Sequence, residues 1–322
     1  MTALHSPLTV FDLLLMLRSA VLMLVVVCTW MSSACALEPK KISGDVYAFI
    51  GSIGDIAPGA GEDVGNSGFI VGSDGVLVVD TGLSYRHGRD MADAIRKTTD
   101  KPIKLVIITH ADQVFLFGNA AFSERGVPLL THAKSASLMR ERCDHCLENL
   151  NKILGADAMK QTRLVIPSRT VDASTTLQFG GRAIDLIATG WGSTPGDLAV
   201  FDRRSGVLFA GGLVSNGRIP QLRDGNLAGW LSALDRLHEL PVRQVVPGHG
   251  EVGGPALLED TAAYLRALDA KVRSLYKNGV GLGQAVDAAT LPDYARWALY
   301  STLHRQNALH RYLQLEVDEL GG

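Results

Sequence analysis

The chain of 322 residues is 47% apolar and 20% charged, which excludes a disordered polymer, a collagen, a coiled coil and a small disulfide scaffold. Its 31 Lys and Arg against 33 Asp and Glu leave a formal net charge of −2, so it lacks the basic balance of an electrostatic nucleic-acid binder. The length accommodates one large α/β domain or two ordinary ones.

The first feature in chain order is an export signal. Arg18 precedes the apolar run 20–27, which continues to Trp30 and ends in Ser32-Ser33-Ala34-Cys35-Ala36. A positive start, a short apolar stretch and an A-x-A site predict cleavage after Ala36. The apolar stretch is short for a bilayer span. The alternatives are an uncleaved anchor over 7–30 and a lipidated Cys35, although Ser32 stands where a lipoprotein signal wants an aliphatic residue. Met16 is an alternative start. Loss of 1–36 removes Asp12 and Arg18 together, so the net charge is unchanged, and leaves Cys143 and Cys146 as the only cysteines.

Strands are predicted over Val46–Ser52, Gly68–Gly72 and Gly75–Asp80, with Asp74-Gly75 as a hairpin turn. A helix is predicted over Arg86–Thr98. The nearly continuous apolar run Ile103–Thr109 reads as a strand buried on both faces. Gly118-Asn119 interrupts the chain before a short strand near Val127–Leu130 and a helix over Lys134–Leu154. Further strands are expected at Arg163–Ile166, Thr175–Phe179, Ala183–Ala188, Asp197–Phe201 and Val207–Ala210. A helix over Leu227–Leu237 follows, then a strand Gln244–Val246 running into Pro247-Gly248-His249-Gly250. Pro255 opens and Gly279 closes a long helix with Leu258, Leu265, Leu268, Val272 and Leu275 on its buried stripe. A helical pair fills 282–316. Two runs of strands followed by helices, with no flexible linker, fit two packed sheets with helices outside.

Cys143 and Cys146 lie in Arg-Cys-Asp-His-Cys. No His follows Cys146, so this is not a haem-attachment site. A spacing of three puts both thiols on one helix face, near Arg140 and Arg142, which would lower a thiol pKa. In an oxidising compartment the pair could close a small disulfide. The pair sits inside a helix rather than opening one after a strand, so a structural disulfide or an unreactive pair is expected over a redox site.

Several strings in order resemble the metallo-β-lactamase superfamily. They are Asn66-Ser67-Gly68-Phe69-Ile70-Val71, Val78-Val79-Asp80-Thr81-Gly82, Ile108-Thr109-His110, Thr194-Pro195-Gly196-Asp197-Leu198, Leu208-Phe209-Ala210-Gly211 and Val246-Pro247-Gly248-His249-Gly250. Within it the chain looks like the exported zinc-metallohydrolase-like proteins of quinoprotein (PQQ alcohol dehydrogenase) relay systems, through Gly118-Asn119-Ala120-Ala121-Phe122 and the stretch from Asp224 to Leu231. The resemblance implies an α+β fold, an αββα sandwich over 37–322 behind a signal peptide over 1–36, with the site at one edge of the two sheets.

The family places zinc ligands as His-x-His-x-Asp-His after the buried strand, with a further His before the Thr-Pro-Gly-Asp turn, a bridging Asp after the Leu-Phe-Ala-Gly strand and a last His in Pro-Gly-His-Gly. Here the loop reads His110-Ala111-Asp112-Gln113-Val114-Phe115. Asp112 stands for the second His, Val114 for the Asp, Phe115 for the next His, Ser193 for the His before the turn and Gly212 for the bridging Asp. His110 and His249 are retained. A catalytic zinc takes three protein ligands and keeps a fourth position open, so a dinuclear centre with a metal-activated hydroxide is not expected.

His110 and His249 are remnant ligands or simply hydrogen-bonded histidines. With Asp112 they could form a two-His, one-carboxylate set for a single zinc, iron or manganese ion. Asp80, implied by the resemblance to orient the metal loop, would otherwise cap the turn at Thr81-Gly82. Ser193 beside His249 lacks the Gly-x-Ser-x-Gly elbow of a serine nucleophile. His132, His238, His304 and His310 show no metal-type spacing. The expected function is a periplasmic or secreted binding or accessory protein that takes a small molecule or a protein partner, without nucleic acid and with membrane contact only through an uncleaved signal. The alternative is a hydrolase with a single-metal site.

Overall fold

The central strands are apolar almost throughout because each feeds two layers at once. Side chains alternate between the faces of a strand, and both faces here are covered. In strand β4 (Val76–Val79), Val76 and Val78 point into one core while Leu77 and Val79 point into another. The computed structural model describes residues 37–57 and 63–320. The predicted export signal and Cys35 lie outside the described residues.

A seven-stranded sheet has the order β1 to β7. Its strands are β1 (Lys40–Ser43), β2 (Val46–Phe49), β3 (Ser67–Val71), β4, β5 (Ile103–Ile107), β6 (Leu129–His132) and β7 (Arg169–Val171). The pairs from β1 to β4 are antiparallel and those from β4 to β7 parallel. The parallel pairs need crossover connections, which carry helices α1 (Tyr85–Thr98), α2 (Gln113–Leu116), α3 (Asn119–Ser123) and α4 (Ala133–Leu154). A five-stranded sheet runs β12-β11-β10-β9-β8. Its strands are β8 (Thr175–Phe179), β9 (Arg182–Trp191), β10 (Pro195–Asp202), β11 (Val207–Ser215) and β12 (Gln244–His249). Helix α5 (Leu227–His238) crosses between β11 and β12, and α6 (Ala256–Lys277), α7 (Leu282–Ala288) and α8 (Arg305–Leu320) follow.

Three apolar layers result. Between the sheets lie Ile70, Leu77, Val79, Ile107, Leu198, Val200 and Phe209. The helices of the first half close the outer face of the larger sheet over Phe69, Val78, Val106, Met91 and Phe122. Trp230, Leu234, Tyr264 and Leu268 close the smaller sheet over Ala199, Phe201 and Leu208. The expected αββα order of layers is therefore present. Among the described residues, no helix is long and apolar enough to cross a membrane.

The structure corrects several element assignments. Arg163–Ile166 is not a strand; Leu164, Val165 and Ile166 pack on the outer core, and the Val165 carbonyl accepts from Asn119 Nδ2 at 2.9 Å instead of joining a ladder. Strand β1 went unread because two lysines begin it and it lies at a sheet edge with a bulge after Lys41, where charge protects the edge. Helices α2 and α3 are too short to show a helical period. The C-terminal helical pair is interrupted by a 3-10 turn at Pro292–Tyr294 and a π turn at Tyr300–His304, entered through Leu299 at φ +62°.

One close approach fixes the layer that bears the site loop. Gly118 precedes α3 and donates its N–H to the Gly82 carbonyl at 3.1 Å. A Cβ there would sit 2.0 Å from the Thr81 carbonyl oxygen and 3.0 Å from the Gly88 Cα. Backbone cannot yield as a flexible side chain does, so Gly118→Ala is expected to cost about 2–3 kcal/mol. Urea unfolding followed by circular dichroism reads this directly.

Candidate functional site

Strand ends from both sheets converge at one edge. Strand β4 delivers Asp80, β5 delivers Thr109 and His110, the β9–β10 turn delivers Ser193 and Thr194, β11 delivers Gly212, and β12 ends on His249. The sheets are stitched there. Leu198 donates its N–H to the Thr109 carbonyl at 2.8 Å, and Asn66 donates its N–H to the Gly248 carbonyl at 2.8 Å. The buried Asn66 amide reaches the Pro247 and Gly250 carbonyls at 2.8 and 2.7 Å, which anchors the segment carrying His249.

Asp80 holds β5 rather than its own turn. The Thr109 N–H and hydroxyl both donate to its carboxylate, at 2.8 Å each. That corrects its expected capping of Thr81-Gly82. Asp80 adopts φ +60°, a left-handed conformation that Asp tolerates better than most residues. Burial pushes its carboxyl up to about 7, against the pull of the two Thr109 hydrogen bonds. Thr109 Oγ1 also lies 2.7 Å from His110 Nδ1. Because the hydroxyl proton goes to Asp80, the oxygen accepts from Nδ1–H, which assigns the lone pair to Nε2. Burial holds the His110 imidazole down at about 4, so it is neutral at pH 7. His249 is pushed well below its ordinary value by burial, then by the Arg218 charge and by repulsion from His110 when that ring is protonated. Its Nδ1 is buried without a hydrogen-bond partner.

Phe115 stands beside both imidazoles. Its ring centroid lies 4.4 Å from that of His110 and 5.4 Å from that of His249. The ring is 1% exposed, and Val114 beside it is also buried. Both belong to the outer apolar core. Asp112 caps helix α2, with Oδ1 accepting from the Val114 N–H at 3.0 Å. At Gly212 a Cβ would fall 2.7 Å from His110 Nε2 and 2.5 Å from Ser193 Oγ. Ser193 donates its hydroxyl to Asp197 at 3.0 Å and its N–H at 2.6 Å; Thr194 donates its hydroxyl to the same carboxylate at 2.8 Å. The proton a serine nucleophile would give to His249 is therefore held by Asp197. Burial raises Asp197 to about 6 against donation from these groups and from the Thr194 N–H.

His110, Asp112, Phe115, Ser193, Gly212 and His249 line one cavity of about 40 Å³, together with Arg218, Arg223 and Asp224. Val114 is buried behind it, and Asp80 acts on it through Thr109. Among the described residues, no group of three or more His, Cys, Asp or Glu side chains is gathered as a metal would need.

Cys143 and Cys146 are both free thiols on α4, the first buried and the second half-buried. The hydrogen bond between them lowers Cys146 to about 7 and pushes Cys143 up. The cation that assists is Arg223, not Arg140 or Arg142. Arg142 instead pairs with Asp224, and Arg140 reaches Ser137. Of the other histidines, His132 caps α4 through the Lys134 N–H and His304 is buried between Tyr264 Oη and the Ala289 carbonyl. Sequence reasoning passed over Arg218, a single cation after a strand with no pattern around it. It quoted Asn66, Thr109 and Asp197 only as parts of strings; their polar type inside apolar surroundings was the available signal.

The model of the metallo-beta-lactamase superfamily matches residues 60–249. The chain belongs to that superfamily. A metallo-beta-lactamase type 2 from Bacillus sp. (strain 170) is 26% identical over 214 residues, covering 64% of this chain and 75% of that protein. A linear primary-alkylsulfatase from Pseudomonas sp. (strain ATCC 19151) is 24% identical over 292 residues, 77% of this chain and 54% of that protein; the chain spans about half of that relative. Among solved structures, the metallo-beta-lactamase from Pontibacter korlensis superposes with a TM-score of 0.60 at 24% identity, covering 71% of this chain and 99% of that one. As a metallo-beta-lactamase fold, the chain places its cavity where the strand ends of its two sheets meet.

Proposed function

We propose that this protein is an exported, non-hydrolytic binding or accessory protein built on the metallo-beta-lactamase scaffold, with a degenerate metal site. The observation that carries the reading is the Phe115 ring, packed within 4.4 and 5.4 Å of the two remaining imidazoles. The residues do not fit a pair of zinc ions. Val114 and Phe115 offer no electron pair, Ser193 is committed to Asp197, and at Gly212 there is no side chain to bridge two cations. A single ion held by His110, Asp112 and His249 finds no support either, because among the described residues these three side chains are not gathered as a metal would need. No catalytic step is therefore assigned to a metal.

The test is metal analysis of protein purified without chelator, with lactam, thioester and phosphodiester substrates assayed with and without added zinc. Metal well below one equivalent and no turnover are expected. Stoichiometric metal with turnover abolished by His110→Ala would overturn the reading and restore the single-metal hydrolase. Export to the periplasm or beyond is proposed from the signal over 1–36. A place beside a quinoprotein alcohol-oxidation system is proposed from Gly118–Phe122 and the Asp224–Leu231 stretch. Genes for such oxidases next to this one would support it; their consistent absence would remove it.

A further inference from the structure

Helix α4 carries two thiols on one face. Cys143 and Cys146 are three residues apart, and both are free. In a helix with 3.6 residues per turn and 1.5 Å rise, that spacing leaves their Cα atoms about 5 Å apart, inside the range a disulfide spans. Their Cβ atoms lie about 5–6 Å apart, farther than the roughly 3.5–4.5 Å of an ordinary disulfide. Closing the bond therefore requires that turn of the helix to yield. A bond closed under such strain is readily reduced, which suits exchange and does not suit the structural disulfide expected from the sequence. The two sulfurs are also unequal. Cys143 is 2% exposed and belongs to the outer apolar core, whereas Cys146 is half-buried against that core. One helical turn before Cys146, Arg142 pairs with Asp224, and Asp224 also holds Arg223 at 2.9 Å, so the Arg223 cation is brought to this face. The Cys143 hydrogen bond and the Arg223 charge hold Cys146 down to about 7 against burial and the carboxylates of Asp112 and Asp224. The same hydrogen bond, with burial, pushes Cys143 up.

We propose that Cys143 and Cys146 form a thiol–disulfide exchange site that takes a low-molecular-weight disulfide, with Cys146 as the attacking thiol and Cys143 as the resolving one. The Cys146 thiolate, its proton already in solvent, attacks one sulfur of the small disulfide. That S–S bond breaks, a mixed disulfide forms on Cys146, and the first small thiolate leaves. Cys143 then gives its proton to solvent and its sulfur attacks Cys146 Sγ, which expels the second small thiolate. Both leaving thiolates take up protons from solvent. The protein dithiol is thereby oxidised to a disulfide, and the small disulfide is reduced to two thiols. An attacking thiol works best when its pKa lies near the ambient pH, which is where Cys146 stands. The buried partner is shielded from outside reagents and meets only the mixed disulfide formed beside it. This site is independent of what fills the cavity between the sheets.

The test equilibrates the native full chain with mixtures of reduced and oxidised glutathione, quenches with acid, alkylates the free thiols and digests with trypsin. Cleavage after Arg142 and Lys152 isolates both thiols in one peptide, apart from Cys28 and Cys35. As the oxidised share rises, this peptide is expected to escape alkylation at both sulfurs, and excess reduced glutathione is expected to restore it fully. Cys143→Ala should stop at a glutathione mixed disulfide on Cys146, and Cys146→Ala should form a mixed disulfide more slowly by about tenfold. A peptide that stays reduced under excess oxidised glutathione would overturn the proposal. So would a disulfide that excess reduced glutathione leaves intact, since the pair would then be a structural bond. Equal rates in the two variants would overturn the assigned order of attack. The wild-type measurement needs no variant, so it decides the proposal even if Cys143→Ala fails to fold; the order is then read from iodoacetamide labelling of the wild type, with Cys146 expected to react first and its rate to rise through about pH 7.

Discussion

Phe115→Ala is expected to lower the stability of the fold by about 3–5 kcal/mol, the usual cost of emptying a buried aromatic site. The ring is 1% exposed, and it contacts more than the two imidazoles. Even a methyl group built on Gly65 would come within 3.0 Å of it, so the surrounding loop is shaped to the ring and cannot easily collapse into the space. The Phe115 carbonyl also accepts from the Thr81 N–H at 2.8 Å, so the backbone stays in place and the loss is confined to packing. Urea unfolding should show a lower midpoint with little change in slope. The same variant asks whether the ring alone keeps a cation away. With only two imidazoles beside the gap, added zinc is expected to leave the midpoint where it is; a zinc-dependent rise would show that a third donor lies within reach.

The second large effect depends on pH. Asp80 has a folded-state value of about 7 against an ordinary 3.8. Below the lower value the group is protonated in both states and burial costs little. Above the higher value it is ionised in both, and the fold carries a buried charge. Its contribution to stability is therefore lost as the pH rises from about 4 through 7, by up to about 4 kcal/mol at 1.36 kcal/mol per unit. Asp80→Asn cannot ionise, and Asn also tolerates the left-handed backbone. Relative to wild type, the variant should therefore gain stability between pH 4 and 8. His87 and His110, both held down at about 4 by burial, act in the opposite sense, weakening the fold as the pH falls from 6.5 through 4. They are common to both proteins and cancel in the difference. A difference that stays constant across the range would show that Asp80 does not titrate there.

The layers were readable because burial on two faces leaves a mark on composition. Runs such as Val76–Val79 and Val106–Ile108 admit few other placements, and Asp74-Gly75 marks its hairpin, with the Gly72 N–H closing on the Gly75 carbonyl at 2.8 Å. The long helix between Pro255 and Gly279 was bounded by residues that open and close helices. Where single contacts decide, the sequence was silent. Leu164–Ile166 has the composition of a strand but is captured by Asn119 and by core packing. The first short helix of the site loop starts at a local Asp112 cap, but neither short helix is long enough for a period to reveal it. At the site, the identities of His110, Phe115 and His249 were plain from their motif positions, but their mutual packing was not. Arg218 was invisible for a different reason: an arginine is ordinarily exposed, and only its surroundings show that this one is not.

The membership of Val114 and Phe115 in the apolar core has a consequence for anyone re-engineering this edge. Here the segment that would coordinate an ion also helps hold a helical layer onto its sheet. Installing histidine or aspartate at these positions first removes packing and buries polarity, and only afterwards can a bound ion compensate. Stepwise reversion must therefore cross less stable intermediates, so several donors would have to be introduced together, or on a background stabilised elsewhere.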